Sequence, residues 1–264
     1  MYDSHKKFDL CDFIINIQVS SNSECKYKKM KETKLKSIEH LHKFLDKYRK
    51  SSRFKFRGQC DDSWELIPKA GRDEFTKVDD EKIFGHWKRR AITYIDRENH
   101  TDWELLAIAQ HTGLPTRLLD WTQNPLVAMF FAVANDLEKD GAVFIYKANF
   151  RVITEKVSPF NLSENILLYI ANASSQRIAN QFGHFTIHKN ATIPLNEDTQ
   201  DGYLEKLIIP AELKKEISHM LNHYGISYLT LFPDLEGLSK HLGWFIKNYD
   251  FWDDSFDENL YISE

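Results

Sequence analysis

The chain has 264 residues, of which 42% are hydrophobic, 13% aromatic and 28% charged, with a formal net charge of -4. That composition excludes a disordered or low-complexity chain and is long enough for a sizeable core. The weak acidity argues against a broad basic surface holding duplex nucleic acid through its phosphates, while leaving room for a local patch. Cys11, Cys25 and Cys60 form no CxxC pair and the eleven histidines no HExxH, so neither a disulfide framework nor a metal is expected. The opening "MYDSHKKFDL" lacks the apolar core of a signal peptide, and the longest apolar run, "PLVAMFFAVA", is too short to span a bilayer. The expectation is a cytoplasmic protein of the reducing compartment, away from membranes.

In chain order, residues 13–19 read as an apolar strand, followed by a block with six lysines between Lys26 and Lys36. Such a block is expected to be a solvated face leading into the helix "SIEHLHKFLDKYR". "SRFKFRGQ" then alternates as a strand does, sending Phe54 and Phe56 to the core and Lys55 and Arg57 to the other face. Gly58 removes a side chain where the backbone bends or another group comes close. Arg57 is therefore either a surface cation or an anchor at the lip of a cleft. "SWELIPKAGR" is turn-rich, and "DDEKIFGHWKRRAITYIDRE" has helical spacing.

The next helix is punctuated by a capping box, "TDWE", and by Gly113 and Pro115 at its end. Another opens at "NP", with Asn124 as cap and Pro125 in the first turn. Strands are expected at "GAVFIYKA", "YLEKLIIP" and "ISYLTLF", and helices at "AELKKEISHMLNHYG" and "PDLEGLSKHLGWF", where Asp234 is a ready cap. Helices and strands interleave without regular alternation, which defines an α+β class with mixed central β-sheets flanked by helices. The organisation expected is an N-terminal strand and helix extension at 1–50, one main domain at 51–249 and an acidic tail at 250–264.

Between Leu105 and Asn135 the only formally charged residues are Arg117 and Asp120. Charges in so apolar a stretch need partners or a use. The segment "GLPTRLLDWTQ" reads as a rigid loop between two core helices, in which Arg117 and Asp120 either pair with each other under Trp121 or serve a site. His111 reads as a partner for the end of its helix.

"FRGQ", "AQHTGLPTRLLDWTQNPLVAMFFA", "QRIANQFGHF" and "LFPDLEGL" together resemble the FRG domain family, named for the triplet that stands here at Phe56, Arg57 and Gly58. The resemblance covers 54–242. A second one, to the ADP-ribosyltransferase fold, implies a mechanism. In that fold an arginine or histidine precedes a glycine on the first strand, a polar segment leads into an "xxAxxFA" helix, and a glutamate follows near the start of a hydrophobic strand. Arg57 and Gly58, then Asp120, Trp121 and Thr122, then Glu205 would fill those slots.

The resemblance implies NAD as substrate, cleavage of the bond between nicotinamide and ribose, and a toxin or defence setting. Arg57 would bind ribose or phosphate oxygens, Gln59 and Thr122 would orient the cofactor, and Trp121 would wall the site. Glu205 would stabilise the cationic sugar. Gln181 would line the same cleft, and Glu236 competes with Glu205 as the carboxylate. The sequence departs from the family pattern in having no "STS" and no "ExE", which leaves a nucleic-acid base, a protein side chain or water as acceptor. The alternative is a non-catalytic module in which Arg57, Arg117 and the aromatics bind a nucleotide, a nucleic acid or a protein partner.

Overall fold

The computed structural model describes residues 30–95, 100–154, 156–171, 180–181, 183–195 and 202–249. The strand expected at 13–19 and the acidic tail at 250–264 lie outside the described residues. Seven strands form one sheet: β1 (Lys31–Lys34), β2 (Lys55–Gln59), β3 (Leu118–Thr122), β4 (Gly141–Ala148), β5 (Ile166–Tyr169), β6 (Gly183–His188) and β7 (Gly202–Ile209). They stand in the order β1-β7-β4-β2-β3-β6-β5. β1 and β7 run parallel, and every other neighbouring pair is antiparallel.

The helices are α1 (Ile38–Leu45), α2 (Asp80–Ala91), α3 (Asp102–His111), α4 (Pro125–Val133), α5 (Ala211–His223), α6 (Tyr228–Leu231) and α7 (Leu235–Asn248). Their ends form for local reasons. Thr101 and Glu104 complete the capping box of α3. The Asn124 side chain accepts the Leu126 amide at 2.9 Å with Pro125 behind it, and Asp234 accepts the Gly237 amide at 2.8 Å. α4 buries Val127, Ala128, Met129, Phe130, Ala132 and Val133, nearly its whole circumference, because it lies between the sheet and α5.

Two cores share one face of the sheet. Beneath α1, α4 and α5, Phe56, Val143, Ile145, Leu207 and Ile209 pack together; beneath α2 and α3, Leu118, Leu167, Phe185 and Ile187 do so. The opposite face packs Leu119, Trp121, Phe144 and Tyr146 under Leu66 and Leu195. Leu35, Leu41, Phe44 and Tyr48 enter the first of these cores, so the segment that carries β1 and α1 is built into the same body as the strands that follow.

Several elements differ from the sequence expectation. "LLDWT" is strand β3 and not a loop. It is buried on both faces, Leu118 toward α3 and Leu119 and Trp121 toward the other side, so it shows no alternation of apolar and polar residues. "ISYLTLF" is the single helical turn α6: Ser227 and Thr230 cap it, and Tyr228 and Phe232 pack edge-on against Phe130 and Phe131. Its aromatic composition serves packing on α4 and not a sheet ladder. β1, inside the lysine block, and β5, "ILLY", carry no period that marks them as strands.

Candidate functional site

β2 and β3 are neighbours joined at a single register pair, Phe56 with Thr122, whereas β2 pairs with β4 along all five of its residues. Beyond Phe56 the two strands part. A cleft of about 330 Å³ opens at this seam, bounded by Gln110 and His111 at the end of α3, by Ala128 and Phe131 of α4, and by Gly183, His184 and Phe185 of β6. The seam is also where the two cores of that face are divided, which is why the cleft reaches the sheet.

Arg57 crosses the gap. Its Nη1 donates to the main-chain carbonyl of Asp120 at 2.8 Å and stands 3.9 Å from the Asp120 carboxylate. The guanidinium takes the place of an absent ladder hydrogen bond. Its Nε is buried and has no hydrogen-bond partner among the described residues. Burial lowers the Arg57 pKa and the Asp120 charge opposes that shift. The Asp120 carboxylate is mostly exposed and accepts from Gln110 Nε2 at 2.8 Å. Gln110 is oriented in turn by Thr116, whose hydroxyl donates to its Oε1 at 2.7 Å. A cation, a carboxylate and a fixed amide therefore face one opening.

Gly58 has a different reason from the one its place beside arginine suggests. A Cβ there would lie 1.8 Å from the Ala128 carbonyl oxygen, so the glycine admits the backbone of α4 against β2. Thr122 lines the cleft and is buried, its hydroxyl accepting the Asn124 amide at 3.0 Å. Gln181 lines it as well, donating to the Leu231 carbonyl at 3.2 Å. Trp121 contributes to the lining, but its ring is buried against Tyr146 and its Nε1 donates to Thr186 at 3.0 Å.

Other residues singled out in the sequence stand elsewhere. Arg117 does not pair with Asp120: it makes a two-pronged contact with Asp80 of α2, at 2.8 and 2.7 Å, with its guanidinium 4.5 Å from the Phe160 ring. Gln59 is buried and donates to the Glu65 carbonyl at 3.3 Å. Glu236 is exposed and paired with Lys240.

Glu205 lies two strands from Arg57, in the row that runs from Phe56 through Ile145. It is buried, accepts from the hydroxyls of Tyr48 and Tyr203, and has Lys31 and Lys47 at 3.4 and 3.8 Å. Burial pushes its pKa up, but the two hydroxyls and two ammonium groups outweigh this and hold the carboxyl below its usual range. Tyr203 is pushed up to about 12 by burial and by Glu205. Glu205 does not line the seam cleft.

Gln110, Phe131 and His184 were missed as site residues, although each falls within or beside one of the family-like motifs. Only the parting of β2 and β3 makes them neighbours. Among the described residues no group of His, Cys, Asp and Glu is arranged to hold a metal ion, and no helix is long and apolar enough to cross a membrane.

Fold and site together define a mixed α/β protein with a polar cleft at the seam of a single sheet. Residues 52–141 match the family model of the FRG domain, and the chain carries that domain. The matched span runs from just before β2 to the first residue of β4 and contains Arg57, Gln110, Asp120, Thr122 and Phe131, both banks of the seam. It is shorter than the 54–242 stretch over which the motifs resemble the family. No curated protein and no solved structure matches the chain.

Proposed function

We propose that the seam cleft binds the nicotinamide and ribose half of NAD and that the protein is an ADP-ribosyltransferase-like enzyme of the toxin or defence type. The observation that carries this reading is the buried Arg57 guanidinium, which lines the cleft beside the Asp120 carboxylate with its Nε unpartnered among the described residues. An unmatched donor in a buried cation is costly unless a ligand oxygen completes it. The cleft volume suits one nucleoside-sized group, at the small end of the ~300–1,000 Å³ typical of ligand sites.

In this reading Arg57 holds a phosphate or ribose oxygen, and Gln110, Thr122 and Gln181 orient the sugar and carboxamide. The C1′–N bond breaks with its electron pair leaving on nicotinamide, and the Asp120 carboxylate faces the cationic ribose. An acceptor oxygen or nitrogen then bonds to C1′ and gives up its proton to that carboxylate or to water. Glu205 takes a supporting place, since its contact with Tyr48 secures the aromatic wall around Phe56.

The position of Glu205 outside the cleft favours a second reading, a module that binds the nucleotide without cleaving it. Nicotinamide release and NAD binding, measured on the wild type, Arg57→Lys, Asp120→Asn and Glu205→Gln, separate the two. Release that is lost in the first two variants and kept in the third supports the enzyme. Binding without release supports the module, and absence of both refutes the site.

A further inference from the structure

α7 is apolar on two sides, and its own chain packs against one of them. The inner side carries Trp244, whose ring lies 5.6 Å from His219 of α5, and Phe245, which stacks on Tyr249. The outer side carries Leu235, Leu238, Leu242 and Ile246, which are 81%, 39%, 43% and 63% exposed, and Tyr249 at the C-cap is 37% exposed. Of the residues of α7, all of them described, Gly237 alone is buried. A helix that is apolar around so much of its circumference needs a cover on both sides, and a monomer rarely leaves a row of large apolar side chains in water.

The spacing of the outer row selects what covers it. From Leu235 through Leu238, Leu242 and Ile246 to Tyr249 the steps are 3, 4, 4 and 3 residues, which keeps all five on one stripe as in a coiled-coil seam. That series is the same read from either end, with Leu242 at its centre. A second α7 laid antiparallel on the first therefore leaves no residue of the stripe unmatched: Leu235 of one copy faces Tyr249 of the other, Leu238 faces Ile246, and Leu242 faces its own counterpart. Ser239 and Gly243 beside the stripe are small, and a Cβ at Gly243 would meet nothing within 4 Å, so the two axes can come within about 8 Å.

We propose that α7 pairs antiparallel with α7 of a second copy of this chain, about a twofold axis at Leu242. A twofold contact requires one patch to be its own complement, which this stripe is and which an unrelated partner would not require. An anionic lipid surface is a poorer fit, because Lys240 and Lys247 are the lysines of the helix and Lys240 is held by Glu236 at 2.6 Å. The helix is about 21 Å long and about 10 Å wide. That footprint is smaller than the ~800 Å² per partner of a standard interface, so the dimer should be weak and reversible. None of the stripe residues lines the seam cleft, so the pairing stands apart from the function proposed above.

The test is sedimentation velocity of the full chain on the wild type, Leu242→Glu, Leu242→Lys and an equal mixture of the two variants, with circular dichroism to confirm that each is folded. The wild type should pass from monomer to dimer between about 1 and 100 µM, as a weak interface does. Each charged variant sets its charge against its own counterpart at the axis, so its dissociation constant should rise about tenfold or more. The mixture should recover the dimer, because a carboxylate then faces an ammonium group across the axis. Lys82→Glu, at an exposed position of α2 over the other core, should dimerise as the wild type does. A wild type that stays monomeric at about 100 µM, as it would if residues 250–264 of the same chain covered the stripe, would overturn the proposal. Dimers in either charged variant alone, equal loss in Lys82→Glu, or a mixture that stays monomeric would overturn it as well.

Discussion

Arg57 Nη1 lies 2.8 Å from the carbonyl oxygen of Asp120, bridging two strands that share a single register pair. A side chain thereby does at this seam what a backbone amide does elsewhere in the sheet. The contact uses one of the donors spread around the rigid guanidinium plane, while Nε is buried without a hydrogen-bond partner among the described residues.

Arg57→Lys should keep the fold and lose the site. A lysine retains the charge but not the planar fork, so nicotinamide release should fall by about tenfold or more, with a stability loss of about 1 kcal/mol for the hydrogen bond to Asp120. Urea denaturation beside the turnover assay checks this. Wild-type turnover in the lysine variant would remove Arg57 from the mechanism.

Arg117→Ala and Asp80→Ala should each destabilise the protein by about 3 kcal/mol, since either leaves a largely buried charge without its partner. Asp120→Ala should cost under about 1 kcal/mol, because its carboxylate is mostly exposed and the atom that Arg57 bonds is a main-chain oxygen. Denaturation midpoints of the three variants decide the point, and a large loss in Asp120→Ala alone would reverse the assignment of partners.

Gly58→Ala should be among the most damaging small substitutions. The added methyl would meet the Ala128 carbonyl at 1.8 Å, and backbone on both sides leaves no flexible side chain to move. A loss of about 3 kcal/mol or more is expected, with α4 pushed from β2. A variant with unchanged thermal stability would show that the helix and strand can separate without cost.

His188 should make stability depend on pH. Burial depresses its pKa to about 3, from 6.5 in an open chain. Above pH 6.5 it is neutral in both states and adds no dependence. As the pH falls from 6.5 toward about 3 only the unfolded chain takes up the proton, so stability drops by up to about 1.4 kcal/mol per unit, and below that range the loss levels off. Comparing denaturation of wild type and His188→Gln at pH 7 and pH 5 tests this: the variant should show the shallower decline, and equal slopes would contradict it.

The caps of α3, α4 and α7, the strand β4 and the helix α5 were legible in the amino-acid order because each depends on residues within a few positions of one another. Thr101 finds Glu104, Asn124 finds Leu126, and alternation or helical spacing does the rest. The aromatic and cationic alternation around Arg57 likewise set which residues face the helices.

What Arg57 meets was decided 63 residues away, by where β3 enters the sheet. Arg117 faces Asp80 and not its neighbour Asp120 because α2 folds over that end of β3. Glu205 is closed in by Tyr48, a residue 157 positions earlier, once α1 packs on the sheet. Partners of buried charges are chosen by which elements meet, since the cost of an unpaired charge is felt only in the packed state. The cleft follows the same rule: Arg57, Asp120, Thr122 and Gln181 stood out along the chain, but Gln110, Phe131 and His184 join them only because two neighbouring strands diverge after one pair.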